Sequence, residues 1–221
     1  MTILETRELV KNFGGLTAVN HVSIKIEEGE IVGLIGPNGA GKTTFLNSIA
    51  GTLKPSGGRA FFAGEDLTGA SAEIMCHRGM SRTFQIPLPF PKMTVLENVM
   101  VGASFGVPHR APKQAHRRAE DALSFVRFPL PLDTPADHLN AVQLKRLDLA
   151  RALACGPKLL LLDELASGLT PAELEDMMAL IREIRGMGMT IVIVEHIMRV
   201  IKGICGRVYV LQYGAKIAEG T

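Results

Sequence analysis

The sequence predicts an α/β fold built on a mainly parallel sheet, and three observations carry that expectation. Short, unbroken apolar runs stand at residues 30–35 (EIVGLI), 158–162 (KLLLL) and 190–194 (TIVIV), as in strands covered on both faces. Helix-like stretches with recognisable start signals separate them. Strand, helix and strand alternating in this way is the pattern of a parallel sheet with helices packed against it.

Taken in order, HVSIKIEEGEIVGLIG reads as an alternating strand, a turn at Glu28-Gly29 and a buried strand. A helix follows Lys42 and stops near Gly51, and RAFFAGED is a short strand with its turn. TVLENVMV opens with a capping box, Thr94 with Glu97 three residues on. From residue 105 to 136 prolines punctuate the chain, and KQAHRRAEDALSFVRF between them is an amphipathic helix. Residues 87–139 are therefore expected to form a helical insertion on a core of residues 1–86 and 140–221, within one domain. Beyond it, LNAVQLKRLDLARAL is a long helical pattern and KLLLLDE a buried strand. Thr170-Pro171-Ala172-Glu173 caps the next helix, with proline at its first position. TIVIVEH is another buried strand, and RVYVLQYGAKIAEG a hairpin turned at Gly214.

With 47% hydrophobic and 21% charged residues the chain is globular rather than disordered. A formal charge of +2 without a long basic run gives no basis for nucleic-acid binding, and the absence of Trp weakens base stacking further. Cys76, Cys155 and Cys205 are widely spaced and odd in number, so they are expected to be idle thiols rather than disulfides or metal ligands. MTILETREL meets charge too early for a signal peptide, and no run approaches the roughly 18 apolar residues of a membrane span. These features point to a soluble, cytosolic chain.

The segment Gly36-Pro37-Asn38-Gly39-Ala40-Gly41-Lys42-Thr43, followed by Thr44, matches the phosphate-loop pattern G-x-x-x-x-G-K-[ST]. Its glycines let the backbone turn its N–H groups onto phosphate oxygens, Lys42 adds a mobile charge, and Thr43 offers a hydroxyl to Mg²⁺. The helix that follows points its positive end at the same anion. Asp163 and Glu164 close a second buried strand, where an Asp can hold Mg²⁺ and an adjacent Glu can polarise the attacking water. His196 follows a third buried strand, at the edge where such strands deliver catalytic groups. Gln85, after SRTF, is a weaker candidate for the metal.

Together these pieces resemble the nucleotide-binding subunit of ATP-binding cassette (ABC) transporters over nearly the whole chain. The matching segments are GPNGAGKT, TFQ, LNAVQLKRLDLARAL, LLLLDE, SGLT and IVEH, in that order. The resemblance implies a P-loop NTPase (RecA-like) core with an antiparallel β subdomain, ATP and Mg²⁺ as ligands, and Phe13 stacked on adenine. It implies Glu164 as general base, His196 as γ-phosphate sensor, and Gln85 as both a metal contact and a relay to the membrane subunit. It also implies a head-to-tail dimer with a second ATP-binding subunit, docked through permease subunits at the cytoplasmic face of the membrane. FGGLTAVN, SRTFQ, MTVLENVMVG, GLTPAE and KIAEGT look most like importers of branched-chain amino acids and related amides such as urea.

The departures are specific. In the family, the signature LSGGQ of one subunit binds the γ-phosphate held by the other. Here Leu139, Asn140, Ala141, Val142 and Gln143 stand in its place, and a β-branched Val142 removes close backbone approach to phosphate. In a heterodimer the site carrying Glu164 and His196 is thus expected to be competent and the opposite site impaired, whereas in a homodimer both sites would meet a damaged signature and hydrolyse weakly. The alternative is a regulatory or scaffold subunit that binds ATP and scarcely hydrolyses it. A GTPase or kinase is disfavoured, since no [NT]KxD guanine motif occurs. Leu165 replaces a usual Pro with little expected effect, and Thr170 replaces Asp or Asn while keeping the cap. Relatives are expected to continue with a helical segment beyond Thr221, so truncation and weaker dimer contacts are expected too.

Overall fold

The computed structural model describes residues 1–106 and 112–221; residues 107–111 of the expected insertion lie outside them. Along the chain run β1 (Thr2–Phe13), β2 (Leu16–Glu27), β3 (Ile31–Ile35), α1 (Lys42–Ile49), β4 (Gly57–Phe62), β5 (Glu65–Asp66), α2 (Ala72–Arg78), β6 (Met80–Arg82) and α3 (Val95–Phe105). They are followed by α4 (Pro112–Phe125), a 3-10 turn (Ala136–His138), α5 (Ala141–Ala154), β7 (Leu159–Asp163), α6 (Pro171–Gly186), β8 (Thr190–Val194), α7 (Met198–Ile204), β9 (Arg207–Gln212) and β10 (Ala215–Gly220). Two compact units emerge, one of Met1–Met75 with Leu161–Thr221, the other of Cys76–Leu160.

The first unit holds two sheets. One is antiparallel, in the order β2-β1-β4-β5. Its buried face carries Leu4, Leu9, Val22, Ile24 and Ile26, each at most 3% exposed. The other runs β10-β9-β3-β8-β7. There β3 pairs parallel with β8, from Ile31–Ile191 to Leu34–Val194, and parallel with β9, from Val32–Arg207 to Ile35–Val210. β7 and β8 are buried at every residue, as their unbroken apolar sequences require. Each Leu, Ile or Val removed from water there contributes about 1.5–3 kcal/mol. A parallel sheet delivers the chain leaving each strand to one edge, and the residues that follow β3 and β8 both emerge there.

The second unit is mostly helical. Thr94 and Glu97 form the expected capping box on α3: Glu97 N–H donates to Thr94 Oγ1 (3.1 Å) and Thr94 N–H to Glu97 Oε2 (2.8 Å). Fully buried Asn98 ties α3 to the preceding loop, accepting from Phe90 N–H (2.8 Å) and donating to the carbonyls of Phe90 and Thr94. Arg118 donates to Ala154 O (2.8 Å) and Arg146 to Val126 O (2.7 Å), so α4 and α5 hold each other's ends.

At the start of α6, Glu173 N–H donates to Thr170 Oγ1 (3.4 Å) and Thr170 N–H to Glu173 Oε2 (2.8 Å), with Pro171 as the first helical residue. Thr170→Ala is expected to lower unfolding free energy by about 1 kcal/mol. Urea titration would show it as a lower midpoint at an unchanged m-value.

Candidate nucleotide-binding site

The loop from Gly36 to Thr43 joins β3 to α1. Gly41 caps α1 at φ 94°, and a Cβ there would lie 2.2 Å from Ala18 O, so only glycine fits. From behind, Gly214 N–H donates to Ala40 O (3.1 Å) and Asn20 N–H to Gly214 O (2.8 Å). The β9–β10 turn thereby braces the loop. Pro37, Asn38, Gly39 and Thr43 face solvent, while Ala40 is buried and Gly36, Gly41 and Thr44 are half-buried. Lys42, only 8% exposed, folds its ammonium onto the loop's own carbonyls, Gly36 O at 2.8 Å and Pro37 O at 3.0 Å. Those hydrogen bonds hold the charge over the loop mouth, where a phosphate oxygen would compete for it.

Asp163 ends β7 and is 1% exposed. Glu164 follows at φ 48°, a left-handed conformation costing a residue with a side chain about 1–2 kcal/mol. Its N–H donates to Val194 O (2.9 Å), the last residue of β8. That bond ties the turn after β7 to the end of β8, and His196 stands exposed two residues beyond. The acid pair and His196 thus leave neighbouring strands of one sheet. Among the described residues no group of three or more His, Cys, Asp and Glu gathers as a metal cluster. Thr43 and Asp163 offer a hydroxyl and a buried carboxyl, oxygen donors of the type that suits Mg²⁺.

Phe13 ends β1 and is 46% exposed, so it is not a core aromatic, and Lys11 Nζ lies 5.1 Å from its ring centroid. Gln85 and the residues 140–143 belong to the second unit. Asn140 caps α5: Gln143 N–H donates to Asn140 Oδ1 and Asn140 N–H to Gln143 Oε1, both at 2.9 Å. Ala141 and Val142 are the first two helical residues, Ala141 exposed and Val142 half-buried. Further along α5, Asp148 accepts from Phe84 N–H (2.9 Å) and from Arg151 (2.5 Å), and Arg151 donates to Leu88 O (2.9 Å). Burial pushes the Asp148 carboxyl up while Arg151 opposes it. The helix opened by Asn140 therefore holds the segment on both sides of Gln85, a link the motifs did not reveal.

One carboxyl escaped notice in the sequence. Glu195 ends TIVIVE, is fully buried, and accepts from Ala166 N–H at 2.7 Å. A carboxylate inside an otherwise apolar run was the available signal.

A phosphate loop braced onto a parallel sheet, with an acid pair and a histidine leaving neighbouring strands, defines a P-loop nucleotide-binding domain. The sequence profile of the ABC transporter family matches residues 19–167, and the chain belongs to that family. It is 38% identical over 230 residues to a probable branched-chain amino acid transport ATP-binding protein LivG of Archaeoglobus fulgidus, covering all of this chain and 90% of that protein. It is 36% identical to the high-affinity branched-chain amino acid transport ATP-binding protein BraF of Pseudomonas aeruginosa, over 99% of this chain and 91% of that one. Among solved structures, a nucleotide-free ATP-binding cassette from an ABC transporter superimposes with a TM-score of 0.90 at 33% identity, covering 100% of this chain and 91% of that one. The ADP conformation of an ATP-binding cassette of an ABC transporter gives 0.88 at 34%, with the same coverage.

Lys42→Ala removes a charge-assisted contact to phosphate of about 2 kcal/mol. Nucleotide affinity, read by fluorescent ATP-analogue titration, is expected to fall roughly 30-fold.

Proposed function

We propose that the chain is an ATP-hydrolysing subunit of an importer for branched-chain amino acids or related amides, with nucleotide closure and hydrolysis driving membrane subunits. The observation that carries this reading is the strained turn at Glu164, held by Val194 O at the edge from which the phosphate loop also springs. A left-handed backbone at a carboxylate is the kind of strain that persists where a side chain must be aimed.

In this reading the loop amides of residues 36–43 and Lys42 bind the triphosphate, and Phe13 stacks on the adenine. Thr43 and Asp163 would hold Mg²⁺, with Gln85 assigned to it by motif alone, and the ion would neutralise phosphate charge. Glu164 accepts a proton from the attacking water, and His196 donates to the γ-phosphate as it separates. Hydrolysis then breaks the bond to the γ-phosphorus and leaves ADP and phosphate.

The solute assignment follows the relatives' names, LivG and BraF. A dimeric assembly is consistent with a cassette 26% identical to this chain whose structure is a dimer holding ADP and phosphate. Among the described residues no helix is long and apolar enough to cross a membrane, so docking at the cytoplasmic face falls to permease subunits. Ile86, Leu88 and Phe90, 74%, 64% and 46% exposed beside Gln85, offer them an apolar surface.

The altered segment 139–143 faces the partner's nucleotide in this scheme. Its N-cap chemistry is intact, with Asn140 and Gln143 satisfying each other, so the defect falls on Val142. The chain is therefore expected to work best beside a different subunit with an unaltered signature, and weakly beside its own copy.

In the assembled transporter Glu164→Gln is expected to lower steady-state ATP turnover at least 100-fold while ATP affinity stays within about threefold. Val142→Gly is expected to raise turnover of the homodimer at least fivefold, for a helix-stability cost of about 0.5–1 kcal/mol. Phosphate-release assays on this chain alone, with a partner subunit, and with Val142→Gly check both. Absent turnover with the partner, restored by Val142→Gly, would overturn the motor reading in favour of an ATP-binding regulatory subunit.

A further inference from the structure

Glu195 has no part in the chemistry assigned above, yet its carboxyl sits within the turn that carries it. The residue is fully buried in the middle of the first unit's fold, directly before His196. One oxygen, Oε1, accepts from Ala166 N–H at 2.7 Å. Ala166 is itself 3% exposed, two residues after Glu164. The other oxygen, Oε2, is buried with no close hydrogen-bond partner, and the His196 amide acts on the carboxyl more weakly than that of Ala166. Leaving a carboxyl oxygen unsatisfied in the interior is costly, and apolar side chains fill such a position with no penalty of this kind. Packing alone therefore does not account for a carboxyl here.

The surroundings show what it connects. Within the turn after Glu164, Ser167 N–H donates to Glu164 O at 3.4 Å and Leu169 N–H to Ala166 O at 3.3 Å. The bond from Ala166 to Glu195, at 2.7 Å, crosses to the strand that delivers His196. Burial pushes the Glu195 carboxyl up, against the Ala166 amide and the charge and amide of His196, with the Glu164 carboxylate raising it further. The thiol of Cys205 is pushed up to about 12 by burial and by Glu195.

We propose that Glu195 is a positioning residue that locks the Glu164 turn to the His196 turn through its hydrogen bond from Ala166, so that base and sensor move as one unit. Glu164 is already held on its N-terminal side by Val194 O, and Glu195 supplies the second hold beyond it. A turn held at both ends keeps a strained left-handed residue from relaxing. Small misplacements of a base cost rate rather than binding, so the lock bears on turnover and not on nucleotide affinity.

The inference rests on the hydrolytic reading for its kinetic consequence, while the lock itself has a readout that needs no hydrolysis. Glu195→Met fills the same volume without an acceptor, and Glu195→Gln keeps the acceptor in a neutral group. Three measurements on the assembled transporter are compared: kcat and KM for ATP, thermal midpoint, and amide hydrogen exchange across residues 164–169 with ATP bound. Glu195→Met is expected to lower kcat at least tenfold with KM within threefold, to speed exchange at Ala166 at least tenfold, and to leave the midpoint within 3 °C. Glu195→Gln is expected to restore kcat and exchange to within twofold of the unaltered chain.

Unchanged exchange at Ala166 in Glu195→Met overturns the lock. A loss of kcat that Glu195→Gln shares equally, or that comes with a matching fall in thermal midpoint, overturns the positioning role in favour of a purely structural one. A transporter that hydrolyses no ATP with Glu195 in place overturns the hydrolytic reading instead, and the exchange measurement still decides the lock. Glu195→Leu repeats the comparison if Glu195→Met does not fold.

Discussion

The in-register parallel pairing of β3 with β8, from Ile31–Ile191 to Leu34–Val194, is the constraint on which the nucleotide site depends. It ends both strands at the same level, so the phosphate loop leaves one and the Glu195-His196 pair leaves the other at one edge. The bond from Glu164 N–H to Val194 O extends that level to the acid pair at the end of β7. A register slip of one residue would turn every side chain of β8 to the opposite face and move Glu195 and His196 off the level of the loop. The chemistry is thus placed by the hydrophobic packing of short strands, and the polar groups need only occupy the positions immediately beyond them.

What the polar groups add is local aim. Lys42 is held over its own loop by two backbone carbonyls, and Gly41 occupies a conformation that a side chain would block. Glu164 is held in a left-handed turn between Val194 O and the contact from Ala166 to Glu195. Backbone groups do the holding in each case: two carbonyls take the Lys42 ammonium, and the amides of Glu164 and Ala166 fix the turn. In the second unit Asn140 and Gln143 cap α5, each side chain accepting from the other's amide. The altered letters of the segment 139–143 therefore leave the helix start sound, and their consequence falls on whatever meets Val142.

Much of this was legible in the residues because it depends on short-range chemistry. The buried strands announced themselves as unbroken apolar runs, and the capping boxes at Thr94 and Thr170 as spaced pairs. The phosphate loop was a contiguous motif. Other parts were less visible. α7 is seven residues long, too short for a helical period to stand out. β1 runs through KNF to Phe13, and there its strand character comes from pairing with β2 at Lys11–Val19, Asn12–Thr17 and Phe13–Leu16. Asp148 and Arg151 lie in an ordinary helical pattern, and their contacts with Phe84 N–H and Leu88 O join residues more than sixty positions apart.

The sequence by itself determined the class of chemistry. A glycine-rich loop after one buried strand, an acid pair after another and a histidine after a third leave few alternatives to a phosphate-binding α/β fold, since each motif needs only its own neighbours to be recognised. The tertiary structure alone decided how the acid pair is held. The contact between Glu195 and Ala166, and that between Glu164 and Val194, bring together residues some thirty apart in the chain. Whether a buried carboxyl is a packing defect or an anchor depends on which amide it faces. That is settled by the order of strands in the sheet, and no local pattern of residues encodes it.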